Sequence, residues 1–366
     1  MNSNDGNAVV FNGSKLPLEK KKFPLPENLQ DDQALVEITL STVCGSDVHT
    51  WLGHRPFPTP CILGHEMVGK IISMGNLKKD YTGQELVIGD KVVWSMTAGC
   101  GECFFCKKKL PQKCTKMFKY GHAKCDQQPY FTGGFANYVQ LKKGSHVFKV
   151  PSELSDEEVA PLMCAASTIT SGLDYGDFNT CDYVVIQGCG ALGMYASAFT
   201  KILGAKKVIA IDLHNDRLEL AKQFGADYTL NATEIGENLT DEIMKITQNR
   251  GADVIIEVTG DPSVIKEGIQ MLRIGGTYIL LGAIYPNNHF TIDSSDIITK
   301  CLKVVGMHNY HPRHLKTAIE LVLKTKDKFP YKKLVGPNFE FSAKGLEDAF
   351  KSLDSKQSLR PAINPN

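Results

Sequence analysis

The sequence predicts an α/β chain of two domains, an irregular β domain followed by a doubly wound parallel sheet. Three observations carry this expectation. The chain has 366 residues, too many for one ordinary core. Residues 33 to 150 hold short β-like runs broken by Gly and Pro. From about residue 182, apolar strands alternate with amphipathic segments of helix length, the pattern of parallel strands joined by helical crossovers.

In order, the β-like runs of the first part are "ALVEITLSTV", "MVGKIISMG", "LVIGDKVVW", "FANYVQL" and "HVFKVP". Their spacing suits a compact β domain rather than a βαβ array. The run Ser155-Asp156-Glu157-Glu158 then opens a helix, with Ser155 as N-cap and acids in the first turn. Five strands follow, "YVVIQG", "KVIAID", "VIIEVTG", "TYILLG" and "LKVVGM". Helices are expected around 191–203, 215–224, 237–249, 263–273 and 294–300. "HPRHLKTAIELVLKTK" forms a further amphipathic helix with Leu315, Ala318, Ile319 and Val322 on one stripe, suited to packing between domains. There is no internal repeat and no low-complexity linker.

Composition narrows the function classes. With 42% hydrophobic and 22% charged residues the chain reads as soluble and globular. A net charge of +1 gives no general reason to expect nucleic acid or an anionic membrane as partner. The N-terminus lacks a charged-then-apolar leader, and no run of about 18 apolar residues occurs, so a cytoplasmic protein is expected. In a reducing compartment eleven cysteines are not a disulfide framework, and a dense cluster of them points toward metal.

"VVIQGCGALGMYASAF" sets Gly188, Gly190 and Gly193 directly after an apolar strand, with Ala191 and Leu192 opening the next helix. Gly188 permits the tight turn, Gly190 lets a pyrophosphate approach the backbone, and Gly193 lets helix pack on strand. The phosphates then meet the positive end of the helix. Asp212 ends the following strand, nineteen residues after Gly193. A carboxylate there accepts from ribose hydroxyls and repels a 2′-phosphate, which favours NAD over NADP.

Cys100, Cys103, Cys106 and Cys114 have the spacing C-x2-C-x2-C-x7-C. Four thiolates so close can close a tetrahedral Zn²⁺ shell with no open position. An iron–sulfur cluster and a thiol redox pair are the competing readings; the pair needs only two cysteines, and a cluster leaves the nucleotide motif beside it unexplained. A closed shell has no place for substrate, so catalytic chemistry belongs elsewhere. Candidates lie in "VCGSDVHTWLG", "ILGHEMVG" and "APLMCAAST", where Cys44, His65 and Cys164 could form a three-ligand zinc set with one open position.

These motifs, "CGSDVH", "GHE", the four-cysteine loop and "GCGALG", stand in the order and at the separations of the zinc-dependent medium-chain alcohol dehydrogenase family, which the chain resembles from about residue 30 to the end. The resemblance implies a GroES-like catalytic domain over residues 1–160 with a structural zinc lobe at about 99–115. A Rossmann NAD-binding domain over 161–306 and a return to the catalytic domain over 307–366 complete it. It implies two zinc ions per chain, one held by Cys44, His65 and Cys164, the other by Cys100, Cys103, Cys106 and Cys114. Glu66 resembles the acid that can join the catalytic metal, and Asp47 the carboxylate that orients the ligand histidine. Ser46 resembles the relay hydroxyl and His49 the outer base. Thr168 resembles the residue against the nicotinamide, and backbone groups near Leu281 and Met307 those that hold its carboxamide. A homodimer or homotetramer is implied, with a small alcohol or aldehyde as substrate.

Within the family, the polyol and threonine dehydrogenase branch shares "CGSDVH" but commonly places a Glu before "PL". Here that position is Ala160 and Cys164 follows, so the ligand set resembles the alcohol dehydrogenase type. The segments "DIITKCLKVVGMHNYHPRHL" and "APLMCAAST" resemble a subgroup associated with phosphonate catabolism, with relatives acting on terpenoid alcohols such as hydroxycamphor. A phosphonate-bearing alcohol or aldehyde is therefore one substrate expectation, with Arg55, Lys119, His308 and Arg313 the candidate cationic partners. Trp51, Met96 and Phe118 are candidate pocket walls; His54, His122, His146 and Cys125 carry no assigned role. The reading from another class is a nucleotide-binding redox sensor whose cysteine loop releases zinc on oxidation.

Overall fold

The structure, a computed structural model, describes residues 5–282, 285–286 and 288–366. In chain order its elements begin β1 (Asp5–Phe11), β2 (Glu19–Pro24), β3 (Ala34–Thr42), α1 (Gly45–Trp51), β4 (Cys61–Ile62), β5 (Glu66–Met74), β6 (Lys91–Trp94) and β7 (Thr97–Ala98). Next come α2 (Phe104–Lys107), β8 (Phe118–Lys119), β9 (Tyr138–Leu141), β10 (Val147–Lys149), α3 (Asp156–Val159), α4 (Ala165–Tyr175), β11 (Tyr183–Gln187), α5 (Ala191–Ile202), β12 (Lys207–Asp212), α6 (Asn215–Gln223) and β13 (Tyr228–Asn231). The rest are α7 (Ala232–Ile235), α8 (Leu239–Ile246), β14 (Ala252–Glu257), α9 (Ser263–Met271), β15 (Leu272–Leu280), α10 (Ser294–Thr299), β16 (Lys303–Gly306), α11 (Pro312–Thr325), β17 (Val335–Phe339), α12 (Ala343–Asp354) and β18 (Arg360–Ile363). The chain divides into two units, the first Met1–Cys164 with His311–Lys326 and Tyr331–Asn366, the second Ala165–Tyr310 with Asp327–Pro330.

The first unit is built on a sheet of order β10-β6-β5-β3-β18-β17, with β9 on the remaining half of β3, and a small sheet β2-β1-β4. β3 and β5 are antiparallel and their register ends at Thr42 opposite Glu66. That register places the residues just after β3 beside those just before β5, which is how Cys44 comes to face His65. Val9, Ile62, Phe131, Phe135, Leu346 and Phe350 belong to one buried cluster under this frame.

One sequence expectation for this unit takes a different form. "LVIGDKVVW" yields a strand only at Lys91–Trp94. Gly89 sits at φ +95° and the Asp90 carboxylate accepts the Val87 N–H at 2.9 Å, so the first half is a turn, with Ile88 exposed. The β1 and β2 hairpin was not anticipated, because β2 is the lysine-rich run "EKKKFP" with no buried residue. Ser155 stands at the N-cap of α3 as expected, and its N–H is held by Glu158 Oε2 at 2.8 Å. In α11, Leu315, Ala318, Ile319 and Val322 are buried.

The second unit is a six-stranded sheet of order β13-β12-β11-β14-β15-β16, parallel throughout. This is the 3-2-1-4-5-6 arrangement of a Rossmann fold. The five apolar strands expected from sequence form its interior and one edge. The sixth, β13, lies at the other edge with only Asn231 buried, so it carries no apolar run to betray it. No helix among the described residues is long and apolar enough to cross a membrane.

Candidate metal centre and nucleotide-binding edge

Cys44 is the N-cap of α1, and Asp47 closes a capping box on it: the Cys44 N–H donates to Asp47 Oδ2 at 3.0 Å. Asp47 Oδ1 lies 3.0 Å from His65 Nδ1 and accepts the Gly64 N–H at 3.3 Å. A carboxylate only accepts, which assigns the proton to Nδ1 and leaves the His65 Nε2 lone pair for a ligand. Gly64 itself needs φ +90°, a conformation open to glycine, to turn the chain into His65.

The donor atoms of Cys44, His65, Glu66 and Cys164 all lie within 4.8 Å of one another. The two sulfurs are 3.9 Å apart, against about 3.8 Å for two thiolates on a tetrahedral zinc with bonds of about 2.3 Å. All eleven cysteines are free thiols. Contact with Cys164 holds the Cys44 thiol well below its ordinary value, and contact with Cys44 pushes the Cys164 thiol well above. Two buried sulfurs this close cannot both ionise unaided; a cation between them would permit it. Soft sulfur, imidazole nitrogen and a carboxylate at these separations suit zinc.

Glu66 is fully buried, and both of its oxygens are held. Thr42 Oγ1 donates to Oε2 at 2.7 Å, and Arg360 Nε reaches Oε2 at 2.9 Å and Oε1 at 3.2 Å. Burial pushes its carboxyl up to about 7, against the pull of the Arg360 charge. Ser46 Oγ stands 3.2 Å from His65 Nε2, inside the same cluster. His49, three positions along α1 from Ser46 and so on the same helix face, is half-buried with its Nδ1 3.3 Å from His54 Nδ1. Burial and then the His54 charge hold His49 below its ordinary value.

Sequence reasoning missed three members of this neighbourhood. Arg360, near the C-terminus, anchors Glu66 and lies in no motif. His54 partners His49. His122 packs its ring 5.5 Å from that of His65, with Nδ1 3.3 Å from the Tyr120 carbonyl and Nε2 buried without a hydrogen-bond partner among the described residues. Of the candidate walls, Trp51 packs on Phe350 at 5.3 Å, Met96 is buried, and Phe118 sets its edge against Tyr120 at 5.0 Å. Arg313 is occupied locally, its Nε 3.3 Å from His314 Nε2.

The second cysteine group forms a separate lobe. The sulfurs of Cys100, Cys103, Cys106 and Cys114 lie within 4.8 Å of one another, with Cys100 and Cys114 at 3.5 Å and Cys103 and Cys106 at 3.5 Å. Amides point at them: Cys100 N and Lys116 N each donate to Cys114 Sγ at 3.3 Å. Amides of Cys106 and Thr115 hold the Cys103 thiol down to about 6. Among the described residues no carboxylate or imidazole joins this group, so the donor set fits a closed four-thiolate zinc shell.

In the second unit, the glycine motif lies between β11 and α5. Gly188 has φ +102°, and a Cβ there would meet Thr259 Cγ2 at 2.9 Å. At Gly193 a Cβ would stand 2.0 Å from the Gly188 carbonyl, the close approach of helix to strand. Gly190 has nothing within 4 Å of its Cβ position, so the space over the helix N-terminus, beside Ala191 and Leu192, is open to a ligand. Asp212 ends β12 and accepts the Cys189 N–H at 2.7 Å, which fixes its carboxylate beside the turn. Leu281 follows β15, its N–H on the Glu257 carbonyl at 3.1 Å, and Met307 follows β16, its N–H on the Leu280 carbonyl at 3.2 Å. Thr168 is half-buried on α4. Glu257, absent from the sequence reading, gathers the N–H groups of Thr259 and Gly260 at 2.7 Å and of Gly282 at 3.1 Å. The carboxyl edge of such a sheet, at its switch point, is where dinucleotides bind.

Residues 30–152 match the alcohol dehydrogenase GroES-like domain, and residues 191–324 match the zinc-binding dehydrogenase domain. A 5-exo-hydroxycamphor dehydrogenase of Pseudomonas putida is 31% identical over 343 residues, covering 90% of this chain and 91% of its own. The chain belongs to the zinc-dependent alcohol dehydrogenase family. A crystal structure of an alcohol dehydrogenase from Thermotoga maritima superposes with a TM-score of 0.93 at 31% identity, covering 99% of this chain and 100% of that one. A sorbitol dehydrogenase of Halalkalibacterium halodurans is 29% identical, with 95% of each chain covered. Membership in the zinc-dependent alcohol dehydrogenases makes the chain an oxidoreductase acting on a small-molecule alcohol or its carbonyl counterpart.

Proposed function

We propose that the chain is an NAD-linked alcohol dehydrogenase with two zinc sites, in which Cys44, His65 and Cys164 hold the catalytic ion, with Glu66 a further ligand, and Cys100, Cys103, Cys106 and Cys114 hold a structural one. The observation that carries this reading is the convergence of Cys44, His65, Glu66 and Cys164, with Asp47 locked behind His65. When bound, zinc supplies Lewis acidity toward an alcohol oxygen and NAD supplies the hydride acceptor.

The chain's own residues do the rest. Asp47 fixes the His65 tautomer and ring angle. Ser46 Oγ, held at the inner end of α1, would relay the proton of the substrate hydroxyl, accepting it as it passes its own hydroxyl proton outward. His49 stands on the same face of the helix, and its neighbour His54, which is exposed, offers a path to solvent. A histidine held below its ordinary value stays neutral near neutral pH and can accept that proton. In the second unit, Gly188, Gly190 and Gly193 shape the pyrophosphate seat at Ala191 and Leu192. Asp212 supports NAD over NADP, and Thr168, Leu281 and Met307 serve the nicotinamide.

Six cysteines gathered as metal donors, Cys44, Cys164, Cys100, Cys103, Cys106 and Cys114, suit a reducing cytoplasm. A homodimer or homotetramer fits an exposed β16 at the sheet edge of the second unit, and light scattering tests it. The two-zinc assignment is tested by metal analysis: about two zinc per wild-type chain are expected, and about one in folded Cys44→Ala and in folded Cys103→Ala. Loss of turnover in a Cys103→Ala protein that keeps wild-type fold and stability would overturn the division between the sites.

A further inference from the structure

Beside the metal cluster, in the same unit, lie side chains the reading above does not use. The Phe57 ring is 4.2 Å from that of His122, which itself packs against His65. Two cations converge on Phe57: the Arg55 guanidinium at 5.2 Å and Lys119 Nζ at 5.7 Å from its centroid. Arg55 is only 7% exposed, and its Nη1 is buried with no hydrogen-bond partner among the described residues. Neither cation has an ion pair among the described residues.

A buried guanidinium left unpaired loses its hydration without recompense. The Asp47 charge reaches Arg55 but is no hydrogen-bond partner to it, since its oxygens accept from Cys44 N and Gly64 N and face His65 Nδ1. The charges of Cys44 and Cys164 are committed to the metal they would hold. Burial, and next the Arg55 charge, push the Lys119 ammonium down to about 8, so the pair is short of negative charge. An arginine fork matches an oxyanion in two parallel hydrogen bonds, and a lysine adds a point charge.

We propose that Arg55 and Lys119 bind an anionic group, a carboxylate or a phosphoryl-type oxyanion, carried by the alcohol substrate, so that the enzyme selects hydroxy acids or their phosphoryl counterparts over neutral alcohols. This rests on the dehydrogenase reading and names the substrate class of that same site. His122 and Phe57 are the spacer that sets the anion apart from the reacting hydroxyl.

Zinc-loaded full-length protein with NAD would be assayed on short ω-hydroxycarboxylates, hydroxyalkyl phosphonates and neutral primary alcohols of matched length. One anionic series is expected to exceed its neutral match in kcat/KM by about tenfold or more, mainly through KM. Arg55→Gln and Lys119→Gln should each reduce that ratio by about tenfold, with Arg55→Lys restoring part of it. Calorimetric binding of the same anionic alcohols to the zinc-loaded protein separates the two claims. Turnover of neutral alcohols with no preference for either anion overturns the anion site and leaves the dehydrogenase reading standing. Anion binding that Arg55→Gln abolishes, without turnover of any alcohol, does the reverse. Neither binding nor turnover overturns both.

Discussion

Asp47 and His65 are joined by a 3.0 Å contact between Oδ1 and Nδ1, and the other oxygen of the same buried carboxylate accepts the backbone N–H of Cys44. One side chain thus caps a helix, fixes the position of one expected ligand and sets the ring angle of another. The arrangement is built from a helix N-terminus and the end of one strand pair, so the site inherits the rigidity of the sheet.

Replacing Asp47 by Asn keeps the shape but leaves a single acceptor for three donors. Zinc affinity at the Cys44 cluster should fall about 10- to 100-fold, read by chelator competition, while the zinc of the cysteine lobe stays in place. Unchanged affinity would mean that His65 is oriented by other contacts.

The glycine motif separates folding from binding. Gly193→Ala must place a Cβ 2.0 Å from the Gly188 carbonyl and should lower the melting temperature. Gly190→Ala meets no atom within 4 Å, at φ −74°, a value any residue adopts. Its melting temperature should stay near wild type without cofactor, while the KM for NAD rises about tenfold or more as the methyl fills the pyrophosphate seat. A Gly190→Ala enzyme with normal NAD kinetics would place the dinucleotide elsewhere.

Acid sensitivity has one identifiable source in α11. His311 is its N-cap, with Nδ1 accepting the Arg313 N–H at 3.2 Å, and burial followed by the Arg313 and His314 charges holds its pKa down to about 4. The unfolded chain titrates near its ordinary value of about 6.5. Between those values the unfolded state carries a proton that the folded state refuses, so this contribution is complete above about 6.5 and is lost as pH falls toward about 4. His311→Asn keeps the cap and removes the titration. Its melting temperature should fall less than that of wild type between pH 7 and pH 5; equal losses would remove His311 as a source.

Much of the site was legible because its members stand in short motifs. Cys44, Ser46 and Asp47 share one turn of helix, His65 and Glu66 are adjacent, and the lobe cysteines fall within fifteen residues. What escaped is what long-range pairing creates. Arg360 reaches Glu66 across 294 positions through the β3 and β18 pairing, and His122 enters beside His65 from a segment with no periodicity. Glu257 is a lone acid at the end of an apolar strand, distinguished only by the three amides it gathers. In the fold, buried strands announced themselves by apolar runs, whereas β13 and β2 lie at edges with polar faces and gave no such signal.

The proposed site of catalysis is the Cys44, His65 and Cys164 cluster. The most direct test is NAD-linked alcohol oxidation by a folded Cys44→Ser enzyme that still holds one zinc per chain. Turnover should fall about 10³-fold or more, since one donor of the catalytic set is gone while the lobe and nucleotide edge are intact. A folded Cys44→Ser enzyme with wild-type turnover would contradict it.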